Sequence, residues 1–155
     1  DIWKMSLEGN QERSPLMETQ HFERSPALSP NGRYVAYQSN ETGYDEVYVM
    51  SFPDGGSKWP VGRGQAAKWN GNGTELYFVS EGTMMAVEVS TKDVFRPGIP
   101  KPLFTDKQVK VDNLAYSYDV SADGNRFVVP QDVDVGETPT ITVVQNWYAE
   151  FKDRE

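Results

Sequence analysis

The sequence predicts an all-β protein made of β-propeller blades of four antiparallel strands, with about three blades in the chain. Three observations predict it. A strand–turn–strand unit occurs three times, as Ser29-Pro30-Asn31-Gly32-Arg33-Tyr34-Val35-Ala36-Tyr37, as Asn70-Gly71-Asn72-Gly73-Thr74-Glu75-Leu76-Tyr77-Phe78 and as Ser121-Ala122-Asp123-Gly124-Asn125-Arg126-Phe127-Val128-Val129. The turn glycines Gly32, Gly73 and Gly124 are 41 and 51 residues apart, which is the period of propeller blades. Short stretches with a period of two separate the copies, and the 13 Gly and 10 Pro punctuate them along the whole length. A single sandwich also has many short strands, but nothing in it requires one unit to return at this spacing.

The elements follow in order. Asp1 to Leu7 alternates, with Ile2, Lys4 and Ser6 on one side and Trp3, Met5 and Leu7 on the other. Glu8-Gly9-Asn10 is a turn, and Glu12 to Met17 a weaker strand that Pro15 confines to a sheet margin. Phe22 to Ser29 leads into the first hairpin, in which Asn31-Gly32 tolerates positive φ. Arg33 to Ser39, Glu46 to Phe52 and Lys58 to Val61 complete that blade. The next blade takes Ala66 to Trp69, Glu75 to Ser80, Thr83 to Val89 and, after a Pro/Gly connection, Lys101 to Phe104. The last has Tyr116 to Val120, Arg126 to Pro130 and Thr140 to Trp147, with a long acidic loop at Gln131 to Pro139 and no fourth strand. The blade boundaries are therefore expected at 1–20 (third and fourth strands of an incomplete blade), 21–64, 65–108 and 109–155.

Bulk composition narrows the classes of function. A chain of 155 residues that is 37% hydrophobic and 12% aromatic is one core-forming domain in size and composition. The net charge of −8 leaves no basic face for nucleic acid. The absence of cysteine excludes a disulfide framework, a thiolate zinc site and a cysteine nucleophile. No apolar run is long enough to insert in a membrane. The chain opens inside what reads as a strand, so the expectation is either that residues are missing upstream or that the gene itself is truncated.

The first repeat, Ser29-Pro30-Asn31-Gly32 with the strands Arg33 to Asn40 and Glu46-Val47-Tyr48-Val49, resembles the TolB-like, WD40-like (PD40) propeller repeat. Asn31 stands where that family has Asp, the second copy is degenerate, and the third has Ala122 in place of Pro. The ending Ile141-Thr142-Val143-Val144-Gln145-Asn146-Trp147 is similar to the last blade of propellers attached to bacterial serine/threonine kinases. The resemblance implies the fold, and an extracytoplasmic (periplasmic) location. It leaves function open, because such propellers serve as interaction domains, translocation factors or gating domains of peptidases.

Asp1 to Gly9 aligns with Glu46 to Asp54, which makes the N-terminal segment a third and fourth strand and brings the total to about thirteen strands. A closed propeller needs about four to eight blades of roughly 40 residues. The expectation is a homodimer that closes a six-blade ring by strand exchange, with Ile2, Trp3, Met5 and Leu7 of one chain meeting Ile141, Val143 and Trp147 of the other.

Candidate sites are few. His21 is the only histidine, and with no cysteine beside it a solvated loop explains it better than a metal. Asp132, Asp134 and Glu137 have the oxygen ligands calcium takes but not the EF-hand spacing; Asp112, Asp119 and Asp123 read the same way, and the turn accounts for Asp123. No nucleophile elbow, phosphate loop or kinase catalytic loop is present. No catalytic residue, metal or cofactor is therefore expected. The surface expected to meet a ligand is Arg33, Arg63, Lys68, Trp69, Tyr118 and Arg126, near the loop ends and the channel mouth, with an acidic peptide as the matching chemistry. The functional expectation is a non-catalytic module that binds a protein or peptide. The alternative is an accessory propeller that regulates a separate kinase or peptidase domain.

Overall fold

The computed structural model describes residues 1–105, 118–130 and, for the backbone alone, 142–145. Fourteen strands run through these residues in four sheets. A two-stranded sheet comes first, with β1 (Ile2–Met5) antiparallel to β2 (Arg13–Met17). Blade 1 follows as β3 (Glu23–Leu28), β4 (Tyr34–Ser39), β5 (Glu46–Ser51) and β6 (Lys58–Arg63), a meander in sequence order. Blade 2 is β7 (Gln65–Trp69), β8 (Glu75–Ser80), β9 (Thr83–Ser90), a two-residue β10 (Arg96–Pro97) and β11 (Lys101–Thr105). Both β10 and β11 pair with β9, so β9 carries two short outer partners along its length. Blade 3 consists of β12 (Asp119–Val120), β13 (Arg126–Val129) and β14 (Thr142–Gln145).

The hairpins repeat in atomic detail. In the first, the Gly32 amide donates to the Ser29 carbonyl at 2.8 Å, and the Asn31 Oδ1 accepts from the Arg33 amide at 3.1 Å. In the third, Gly124 donates to Ser121 at 2.8 Å and the Asp123 carboxylate accepts from the Asn125 amide at 3.0 Å. In the second, Gly73 donates to Asn70 at 3.2 Å and the Asn72 side chain accepts from the Thr74 amide at 3.0 Å. Asn31, Asn72 and Asp123 therefore do one job, the side-chain turn that places the following glycine at positive φ. The three glycines have φ of 67°, 71° and 74°.

Packing between blades follows from the middle strands. On β8, Leu76 and Phe78 face blade 1, while Tyr77 and Val79 face blade 3. On β4, Tyr34 and Ala36 face blade 2, while Val35 and Tyr37 face β1–β2. A strand buried on both faces needs apolar residues in succession, which is why Tyr34-Val35-Ala36-Tyr37 and Leu76-Tyr77-Phe78-Val79 are continuous runs and do not alternate with polar residues. The blade 1–blade 2 core centres on Phe95, fully buried, whose ring lies 5.6 Å from Tyr34, 5.5 Å from Trp59 and 6.1 Å from Trp69. Sequence reading placed Phe95 in a connection; in the structure it is the plug of this interface.

The inner strands of blades 1 and 2 bulge at the same place. Two residues of β7, Ala66 and Ala67, oppose one residue of β8, and β3 slips likewise between Arg24 and Ala27. Ser25 and Ala66 carry the positive φ this requires, 55° and 58°.

Candidate functional site

Two of the six residues expected on a ligand surface belong to the interior. The Trp69 side chain is buried between blades 1 and 2, and its indole N–H donates to the Ala27 carbonyl at 2.9 Å. Tyr118 is buried between blades 2 and 3, where its hydroxyl donates to the Ala66 carbonyl at 2.7 Å and lies 3.1 Å from that of Tyr77. Burial holds its phenol well above the usual tyrosine range, helped by the charge of Asp119. Both correct the expectation, for one reason: an inner strand faces the neighbouring blade as well as the axis, and large aromatics take the blade side.

The four cations remain at or near the surface and stand in four separate places. Arg33 reaches across to blade 2 and donates to the carbonyls of Lys92 at 2.8 Å and Asp93 at 3.0 Å, so it ties a loop. Arg126 is exposed, 4.0 Å from Asp123 in its own turn. The bonds from Ser121 and the Asn125 amide hold the Asp123 carboxyl below its ordinary range. Lys68 is half-buried on β7. Arg63 is different. It ends β6, and its guanidinium carbon sits 4.1 Å from the ring centroid of exposed Tyr44.

Arg63 and Tyr44 stand at one side of a groove of about 350 Å³ between blades 1 and 2, lined also by Asp45, Gly64, Gln65 and Glu81. Three connections build it. The β4–β5 loop supplies Tyr44 and Asp45, and the β6–β7 connection supplies Gly64. The two-residue β8–β9 turn supplies Glu81, which with Gly82 takes positive φ of 48° and 75°. Gly64 has φ of 148°, and a Cβ there would meet the Val79 carbonyl at 2.5 Å, so only glycine lets the chain pass from blade 1 to blade 2 at this point. Sequence reading named Arg63 but not Tyr44. The signal available was an aromatic in a Gly/Asp loop, Gly43-Tyr44-Asp45, where a core role is improbable.

A second polar cluster lies within blade 1, whose Tyr37 and Tyr48 face β1–β2. Lys58 bridges both oxygens of Glu41 at 2.7 Å and lies 4.9 Å from the Tyr48 ring centroid. The Lys58 bond keeps the Glu41 carboxyl below its ordinary range. Tyr48 donates to Glu46 at 2.6 Å and stacks on Tyr37 at 5.8 Å. Burial raises both phenols above the usual tyrosine value. His21 is exposed beside this cluster, and Asp119 is exposed on β12. Among the described residues, no three His, Asp or Glu side chains gather as a metal would require. Asp112, Asp132, Asp134, Glu137, Ile141 and Trp147 lie outside the described residues, and Val143 is described only as a backbone position on β14 opposite Val128.

Comparison with solved structures decides the architecture. The chain superposes on the crystal structure of TolB from Acinetobacter baumannii with a TM-score of 0.58 and 16% sequence identity over 92% of its length. The fold is TolB-like. The chain spans 33% of the length of that protein, which makes it similar to about a third of such a molecule. No family model matches the sequence, and no curated protein matches it.

Proposed function

We propose that the chain is a non-catalytic β-propeller module that binds a protein or peptide at the groove between blades 1 and 2. The observation that carries this reading is Arg63 held face-on over exposed Tyr44 at the mouth of the groove. Tyr and Arg are the residues most enriched at binding hot spots, and stacking fixes the guanidinium so that less freedom is lost when a carboxylate pairs with it. Asp45 and Glu81 in the same lining disfavour a uniformly acidic ligand. The matching chemistry is a peptide that presents one carboxylate to Arg63 and a neutral or basic residue beside it. An extracytoplasmic location and a relation to kinase-borne propellers belong to the same proposal and rest on the sequence resemblance.

The test is an array of immobilised peptides probed with wild-type protein and with Arg63→Ala and Tyr44→Ala. Carboxylate-bearing peptides should be retained by the wild type and lost by both variants. Equal retention by Arg63→Ala would reject the groove. A panel of esterase, peptidase and glycosidase substrates addresses catalysis, and turnover abolished by His21→Ala would reject the binding-module reading.

A further inference from the structure

Three outer strands each contain a proline followed by an apolar residue: Pro15-Leu16 in β2, Pro60-Val61 in β6 and Pro102-Leu103 in β11. The prolines are 45 and 42 residues apart, so they return at the blade period as the hairpin glycines do. Register makes the positions equivalent. Pro60 stands opposite Tyr48, which stands opposite Tyr37. Pro102 stands opposite Met85, which stands opposite Phe78, the residue at the place of Tyr37 in the second repeat. Pro15 stands opposite Trp3, which aligns with Tyr48.

The ladder slips at the same step in all three sheets. Gly62 pairs with Val47 and Pro60 with Tyr48, which leaves Val61 as an extra residue. Leu103 is the extra residue between Pro102 and Phe104, and Leu16 between Pro15 and Met17. Proline has no amide hydrogen to give to a ladder, and a bulge beside it lets the chain turn the next side chain toward the interior. Val61 and Leu103 are buried, and Leu16 packs on the core between β1–β2 and blade 1. The three prolines are exposed. The charges on these strands are one-sided as well. In a chain of net charge −8, the strands β2, β6, β10 and β11 hold Arg13, Lys58, Arg63, Arg96 and Lys101, all exposed, and no Asp or Glu.

We propose that this repeated proline bulge, together with the cations around it, keeps the outer edges of the blades from pairing with strands of another copy of the chain. The last strand of a sheet presents N–H and C=O groups to any free strand that approaches. A proline at an edge removes a donor from the side facing solvent. The bulge bends the strand, so a straight partner cannot continue the ladder past it. Two such edges brought side by side would also set cation against cation. Contact between copies is thereby turned away from the rim of the blades.

The test replaces Pro15, Pro60 and Pro102 by Thr, which restores the donor and suits a strand. Amide exchange of residues 13–17, 58–63 and 101–105 is followed by mass spectrometry from about 10 μM to about 1 mM protein. In the wild type it should not change with concentration. In the triple variant it should slow by about tenfold or more at the upper end, and sedimentation should show assemblies larger than those of the wild type. Pro130→Thr, at an exposed position outside these strands, should behave as the wild type does. Slow exchange in β4 and β8 reports that the variant is folded; if the triple variant is not, Pro60→Thr alone carries the same expectation for residues 58–63. A folded variant that loses stability without concentration-dependent protection of its outer strands overturns the proposal, because the prolines then serve packing alone. Concentration-dependent protection of those strands in the wild type overturns it as well.

Discussion

Replacing Tyr118 by Phe isolates one hydroxyl at the blade 2–blade 3 junction. The ring stays, and with it the contact with Phe127 at 6.4 Å between centroids, so no large cavity forms. What is lost is the bond to the Ala66 carbonyl at 2.7 Å and the 3.1 Å approach to Tyr77. Ala66 sits in the β7 bulge, where it and Ala67 share one opposing residue of β8 outside the regular register, and without this donor its buried carbonyl is expected to be left unsatisfied. An unsatisfied buried carbonyl costs about 1–3 kcal/mol. For a domain of this size, each kcal/mol moves Tm by about 2–4 °C, so the expected loss is about 2–12 °C. Differential scanning calorimetry with urea unfolding measures it, and peptide binding at the Arg63 groove should be unchanged. A stability within about 0.3 kcal/mol of wild type would refute the reasoning, since it would mean that the Ala66 carbonyl finds another donor or does not need one.

Other outcomes follow from the same geometry. Gly124→Ala should destabilise more than Gly32→Ala. Both residues have positive φ, at about 1–2 kcal/mol each for a side chain, but a Cβ at 124 would lie 2.6 Å from the Tyr77 hydroxyl, whereas nothing stands within 4 Å at 32. Thermal melts of the two variants compare them. Lys58→Met should cost about 0.2–1 kcal/mol, because the pair with Glu41 is partly exposed. The Glu41 carboxyl is depressed in the folded state, so this stability is present above its unfolded pKa and is lost as pH falls through the folded value; Lys58→Met should flatten that acid limb in urea titrations. Tyr37, Tyr48 and Tyr118 are all raised. Their contribution is complete below the ordinary tyrosine value of about 10 and is lost as pH rises through the folded values. Alkaline unfolding should therefore begin above that value, and Tyr118→Phe should make it less steep.

The sequence by itself determined the strands and the hairpins, because both are local. A Ser-Pro-Asn-Gly or Ala-Asp-Gly turn contains its own hydrogen-bond acceptor and its own positive-φ glycine, so three copies could be recognised and counted without knowing what surrounds them. Continuous apolar runs such as Leu76 to Val79 likewise announce a strand covered on both faces. Only the tertiary structure decided which side each residue serves. Trp69 precedes its hairpin as exposed Leu28 precedes its own, and whether such a residue is core or surface depends on the blade standing next to it, which is a non-local fact that decides Tyr118 as well. Phe95 plugs a core from within a Pro/Gly connection, and Tyr44 meets Arg63 from a different loop, for the same reason. A period of two fixes the alternation of side chains along a strand. The approach of neighbouring sheets fixes which of the alternate faces is buried and which remains open to a partner.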